Sequence, residues 1–109
     1  MRTHLLLVSL IAYLSIVVNA KEVPTAQTAS CGTYLEHRTE NNPDQSTAYA
    51  MEVRGYLSGF NMGTSGKPTT SIPDRETVLA YMDKYCHDHP LDFMQQGMFA
   101  LRKDLGGTR

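Results

Sequence analysis

The sequence predicts an all-α fold, a compact orthogonal arrangement of about four helices with one disulfide. Three observations predict it. Apolar residues recur at steps of three and four in successive segments, the period of a helix face. No segment alternates apolar and polar residues with the β-branched enrichment of a strand. The chain carries only two cysteines, Cys31 and Cys86, and begins with a segment that reads as an export signal.

That first segment is set aside before any fold reasoning. Met1-Arg2-Thr3-His4 is a short basic start, and residues 5–18 are almost wholly apolar. Val18 and Ala20 then supply compact residues at the −3 and −1 positions, so cleavage is expected after Ala20. The apolar stretch is short for a bilayer span, which needs about 20 residues. The expected organisation is a signal peptide over 1–20, a mobile arm over 21–30, a helical domain over 31–105 and a flexible tail over 106–109. No membrane association is expected after cleavage, and the expected location is the periplasm.

Each element has its own signal. Residues 21–30 show no hydrophobic period and include Pro24. Ser30 suits an N-cap for a short helix over about 31–37, with Tyr34 and Leu35 facing inward. Asn42-Pro43-Asp44 marks a turn and a helix start. A second helix is expected over about 47–61, with Tyr49, Val53, Tyr56 and Phe60 on one face. Gly55 and Gly59 interrupt it, and a mid-helix glycine costs about 1 kcal/mol. Close approach of another segment at these glycines is the expected reason. Residues 62–71 read as a loop. The third helix starts near Pro73 or Asp74, with Asp74 or Ser71 as cap. Val78, Met82 and Tyr85 follow one stripe, with Leu79 and Cys86 beside it. His89-Pro90 ends that helix, because a residue before proline avoids the helical region. Pro90 then suits the first turn of a fourth helix carrying Leu91, Met94, Met98, Leu101 and Leu105, stopped by Gly106-Gly107.

The two cysteines stand 55 residues apart. In an oxidising compartment they are expected to form a bridge. Closing such a loop stabilises by about 4 kcal/mol in the chain-entropy model. A domain of this size has little core, so the bridge should be central to its stability.

Composition excludes some functions. Loss of Arg2 with the signal leaves nine Lys and Arg against eleven Asp and Glu, a formal charge of −2. No basic stripe offers itself to nucleic acid phosphates. Cys86-His87-Asp88-His89 has the ingredients of a thiol site, but consecutive helical residues point about 100° apart. Neither catalysis, a metal site nor a cofactor is expected there. Asp83 and His87, four apart, are a candidate pH-responsive pair. Met82 is expected in the core. Met94 and Met98 stand open between core and an exposed client-binding surface on the fourth helix.

The run Cys31…Tyr34-Leu35, then Gly55-Tyr56-Leu57-Ser58-Gly59-Phe60-Asn61, then Ile72-Pro73-Asp74…Tyr85-Cys86-His87…His89-Pro90 resembles the HdeA/HdeB family of periplasmic acid-stress chaperones. That resemblance implies a disulfide-bonded helical holdase that binds unfolding client proteins, with a homodimer among the expected states. The Gly-Tyr-x-x-Gly helix and the late His-Pro followed by Ala100-Leu101 are similar to a second group, the periplasmic immunity proteins that block peptidoglycan amidases delivered by type VI secretion. Their usual second cysteine pair is missing here. That likeness implies a tight complex with one periplasmic enzyme, with loops 38–46 and 63–71 as contacts. Both imply a non-enzymatic binding protein, and the holdase stands slightly ahead. A structural subunit of an envelope complex is the third expectation.

Overall fold

A computed structural model describes residues 24–64 and 70–106. The expected signal peptide and the tail beyond Gly106 lie outside these residues. Four helices follow in order: α1 (Cys31–Thr39), α2 (Pro43–Met62), α3 (Arg75–Asp88) and α4 (Met94–Asp104). Among the described residues there is no strand, only an isolated bridge between Ser30 and Phe93. The all-α expectation holds.

Local chemistry sets most helix ends. Ser30 caps α1 by accepting from Thr33 N. Asn42 caps α2, accepting from Asp44 N and Gln45 N, with Pro43 in the first turn. The helix therefore begins a turn before the expected position 47, because the Asn-Pro-Asp signal starts it directly. Asp74 caps α3 by accepting from Thr77 N at 2.8 Å. The fourth helix starts at Met94, not at Pro90. Gln96 reaches back to Phe93 N and holds that start, and the bridge to Ser30 keeps the backbone before it extended. Gly106 adopts φ 95°, a left-handed conformation that suits glycine just past the helix end.

Helix α3 packs against each of the other three. Along α1, Cys31 pairs with Cys86 and Tyr34 with Asp83, so these two helices run antiparallel. The pairing of Arg38 with Ser46 and of His37 with Tyr49 makes α1 and α2 an antiparallel hairpin. The side chain of Arg75 at the start of α3 meets Thr47 near the start of α2. Residues 70–74 therefore return along α2. Thr70 marks that return, buried and bonded to the Asn61 side chain. The return lets an early cysteine and a late one meet at a Cα–Cα distance of 4.8 Å.

The core joins Cys31, Tyr34, Tyr49, Ala50, Val53, Leu57, Val78, Leu79, Met82, Cys86, Met94, Met98 and Leu101. Two residues of the expected mobile arm belong to it. Ala26 and Ala29 are buried, and Ala26 N donates to Glu52 Oε2 at 2.7 Å. Small alanines fit such a site without any periodicity to announce them. On α2 the buried face is Ser46, Tyr49, Ala50, Val53 and Leu57, while Tyr56 and Phe60 flank it.

The glycine expectation is corrected. A Cβ at Gly55 or Gly59 would meet nothing within 4 Å. The tight position is Gly97 in α4, where a Cβ would lie 2.6 Å from Met82 Cε and 2.9 Å from Tyr85 Cδ1. Here α3 and α4 approach closely, and only glycine leaves room.

Candidate functional site

The chemistry of this molecule concentrates in three places around α3, and none of them is a nucleophile–base arrangement. Cys86 is bonded to Cys31, and both are fully buried. Among the described residues no group of three or more His, Cys, Asp or Glu is placed to hold a metal ion. No helix there is long and apolar enough to cross a membrane.

The first place is a polar lock beside the disulfide. Arg38 addresses Asp83 with two parallel bonds, Nε to Oδ1 at 2.9 Å and Nη2 to Oδ2 at 3.0 Å. Its Nη1 donates to the buried Ser46 hydroxyl at 2.9 Å. Tyr34 OH donates to Asp83 Oδ1 at 2.7 Å. Burial, reinforced by Asp83, pushes the Tyr34 phenol far above its usual range. The bond to Asp83 likewise raises Arg38. Tyr49 meets the Tyr34 ring edge-on and lies 2.7 Å from His37 Nδ1, the tautomer deciding which of those two donates.

This geometry corrects the proposed Asp83–His87 pair. Asp83 is turned toward α1 and committed to Arg38 and Tyr34. His87 lies on the exposed side, its Nδ1 3.6 Å from Asp88 Oδ1. Four residues along a helix place two side chains on one face, but the arginine from α1 offers a bidentate fit that a solvated histidine does not. Arg38 was visible in the sequence only as a loop cation.

The second place is the outer edge of the α3–α4 seam. Tyr81 OH donates to Asp104 Oδ2 at 2.6 Å and Tyr85 OH to Asp92 Oδ2 at 2.5 Å. Desolvation and Asp104 raise Tyr81, and desolvation and Asp92 push Tyr85 up to about 12. His89 stacks on Tyr85 at 4.3 Å between ring centroids. Lys84 pairs with Asp88 at 2.7 Å, which lowers the Asp88 carboxyl. Tyr81, Lys84, Tyr85, Asp88, His89 and Asp104 line an open cleft of about 210 Å³.

The third place is the turn between α3 and α4. Leu91 is 94% exposed and Phe93 49% exposed, an unusual display of large apolar side chains. Its backbone is nevertheless pinned. Asp92 N donates to His89 O, Asp92 O accepts from Cys31 N, and Met94 N donates to Ala29 O. The Asp92 carboxylate holds Tyr85, and the disulfide sits under the turn through Cys31. The sequence had placed Leu91 on the inner face of a helix starting at Pro90. The later start moves it out to solvent.

Of the two places open to Met94 and Met98, the structure gives core and not the client-binding surface. Met94 and Met98 are 0% and 2% exposed, packed as α4 closes on α3 through Gly97. They form core, as Met82 does. The exposed methionines are Met51 and Met62 on α2. Of the two loops expected as contacts, residues 38–46 surround the polar lock, with Asn41 at φ 52°, and residues 65–69 lie outside the described residues.

Comparison with family models, with curated proteins and with solved structures finds no match.

Proposed function

We propose that this chain is an exported, non-enzymatic domain that binds a folded partner protein and blocks it. This is the inhibitor reading, now ahead of the holdase. The carrying observation is the Leu91–Phe93 turn. Leu91, the most exposed large apolar side chain among the described residues, and Phe93 lie on a segment whose backbone is held by Cys31, Ala29, His89 and, through Asp92, Tyr85. A side chain presented on an already ordered backbone loses little further entropy on binding. Partners that use such anchors place them in a preformed apolar pocket. The burial of Met94 and Met98 removes the ready-made sticky face that a neutral-pH holdase would use.

Periplasmic location belongs to the same proposal. It is supported by the signal-like start, and the disulfide is compatible with an oxidising compartment. Affinity capture of exported proteins at neutral pH should recover one enzyme, inhibited at a one-to-one ratio. Leu91→Asp should abolish the inhibition while leaving the helical spectrum intact. Equal inhibition by wild type and Leu91→Asp, or recovery of no inhibited enzyme, would remove this reading.

One observation favours the holdase as a second reading. The side-chain ties of α3 to α1 and to the α4 region end on carboxylates: Asp83, Asp92 and Asp104. Strong acid neutralises carboxylates. The disulfide would keep α1 on α3 while α4 loosens and uncovers Met82, Met94 and Met98. Protection of an aggregating client at pH 2–3 tests this directly. Aggregation unchanged at stoichiometric excess would eliminate it.

A further inference from the structure

Four arginines lie among the described residues, and their fates differ. Arg38 ends on Asp83 and Arg75 on Glu76. Arg54 and Arg102 make no ion pair among the described residues, and each has a buried Nε without an acceptor. Arg54 contacts Met51 Sδ at 4.0 Å and adds to the field that lowers the Asp74 carboxyl. Arg102 is different, because its guanidinium is held in place by rings. It lies 4.4 Å from the Phe60 centroid, 5.7 Å from Phe99 and 5.8 Å from Tyr56. Its Nη1 donates to Tyr56 OH at 2.6 Å. The Tyr56 and Phe99 rings touch each other at 5.9 Å.

A guanidinium carries five N–H donors, and this one spends a single donor on an intramolecular bond. Its Nε is buried, so the donors it can offer outward are those of Nη2 and the second one of Nη1, placed by the Phe60 ring at 4.4 Å and by the bond to Tyr56 OH. Lys103 beside it makes no ion pair among the described residues either. Phe99 at the rim is 44% exposed. Arginine with tyrosine and other aromatic side chains is the composition that dominates binding energy at protein interfaces. The group that matches the unused Nη1 and Nη2 donors is a planar carboxylate, taken end-on by two bonds. The aromatic rim would cover an apolar side chain beside it.

We infer that the Tyr56–Phe60–Phe99–Arg102 patch on the α2–α4 seam is a docking surface for an acidic protein segment, one that presents an Asp or Glu carboxylate next to an apolar residue. The charge of Arg102, without an ion-pair partner among the described residues and set against rings, selects this occupant. The inference does not depend on the Leu91 turn, which lies at the other end of α4.

The test is an NMR titration of the disulfide-bonded protein with a blocked Glu-Leu-Glu peptide. The expected result is saturable movement of the Arg102 Nε–Hε and Phe99 signals, weaker by about tenfold with the neutral Gln-Leu-Gln peptide, as loss of a charged hydrogen-bond partner implies. Arg102→Gln should abolish the movement at Phe99, and added salt should weaken it. Phe99→Ala, at a half-exposed ring, gives a second variant whose folding is not at risk and should weaken binding too. Equal response to both peptides, an equal response to inorganic phosphate, or binding that survives both substitutions would overturn the proposal.

Discussion

Helix α3 meets α1 and α4 along two seams that are held by different physics. The α1 seam is fastened at one end by a covalent bond between buried cysteines and further along by the Arg38–Asp83 fork. The α4 seam has no covalent tie. It is held by close packing at Gly97, with tyrosine–carboxylate bonds along its edge. The difference teaches where a small core can rest on shape. Where α3 and α4 are adjacent in sequence, joined by a short turn, packing suffices. Where α1 must find α3 across 55 residues, closure entropy opposes the contact, and a cross-link removes that opposition from the unfolded chain.

The largest way to break the contrast is to cut the bridge. Cys31→Ala with Cys86→Ala should lower unfolding free energy by about 4 kcal/mol in denaturant titrations, close to the whole stability of a small domain. A loss below about 1 kcal/mol would mean that the α1 seam holds itself. Next comes the lock. Asp83→Asn removes the charge that Arg38 and Tyr34 share and should cost about 2 kcal/mol, because the buried Tyr34 loses a charged acceptor while half-buried Arg38 can turn partly to water. The same change at His87 should move stability by less than about 0.5 kcal/mol, because that side chain is solvated.

The glycines sharpen the comparison, since they respond in opposite directions. Gly97→Ala should destabilise by about 1–2 kcal/mol: Met82 can swing its methyl away, but the Tyr85 ring cannot. Gly55→Ala and Gly59→Ala, with open space around the new methyl, should each stabilise by about 0.5–1 kcal/mol. Calorimetry that shows all three changing stability the same way would contradict the assigned seam.

The smallest expected effects come from pH. Tyr34, Tyr81 and Tyr85 have phenols raised in the folded state, so their stabilising contribution is whole below about pH 10 and lost as pH climbs, for Tyr85 through about 12. Asp74 and Asp88 have carboxyls lowered by the Thr77 cap and by Lys84. Their contribution is present above the ordinary carboxyl range and disappears as pH falls below about 4. Denaturation midpoints measured across pH should therefore drop at both extremes. A flat alkaline limb would show that the tyrosine bonds add nothing to the folded state.

Much of the architecture was legible in the chain. Ser30, Asn42 and Asp74 announce three helix starts, since a cap acts on a backbone amide two or three residues away. Periodicity marked Tyr34, Val53, Val78 and Met82 as inward-facing. The disulfide followed from two cysteines behind an export-like start. These signals are local, or are counts, and need no knowledge of neighbours.

Tertiary structure alone decided the rest. Gly55, Gly59 and Gly97 look alike in sequence, and only the approach of α3 shows which one is needed. Met94 and Met98 on an amphipathic stripe could face core or solvent until α4 settled on Met82 and Tyr85. Leu91 became exposed because the bridge between Ser30 and Phe93 delayed the helix start by four residues, a contact between segments more than sixty residues apart. Asp83 chose Arg38 over His87 for the same reason. A side chain's partner depends on what the rest of the chain brings within hydrogen-bond reach, and no spacing within a single helix encodes that.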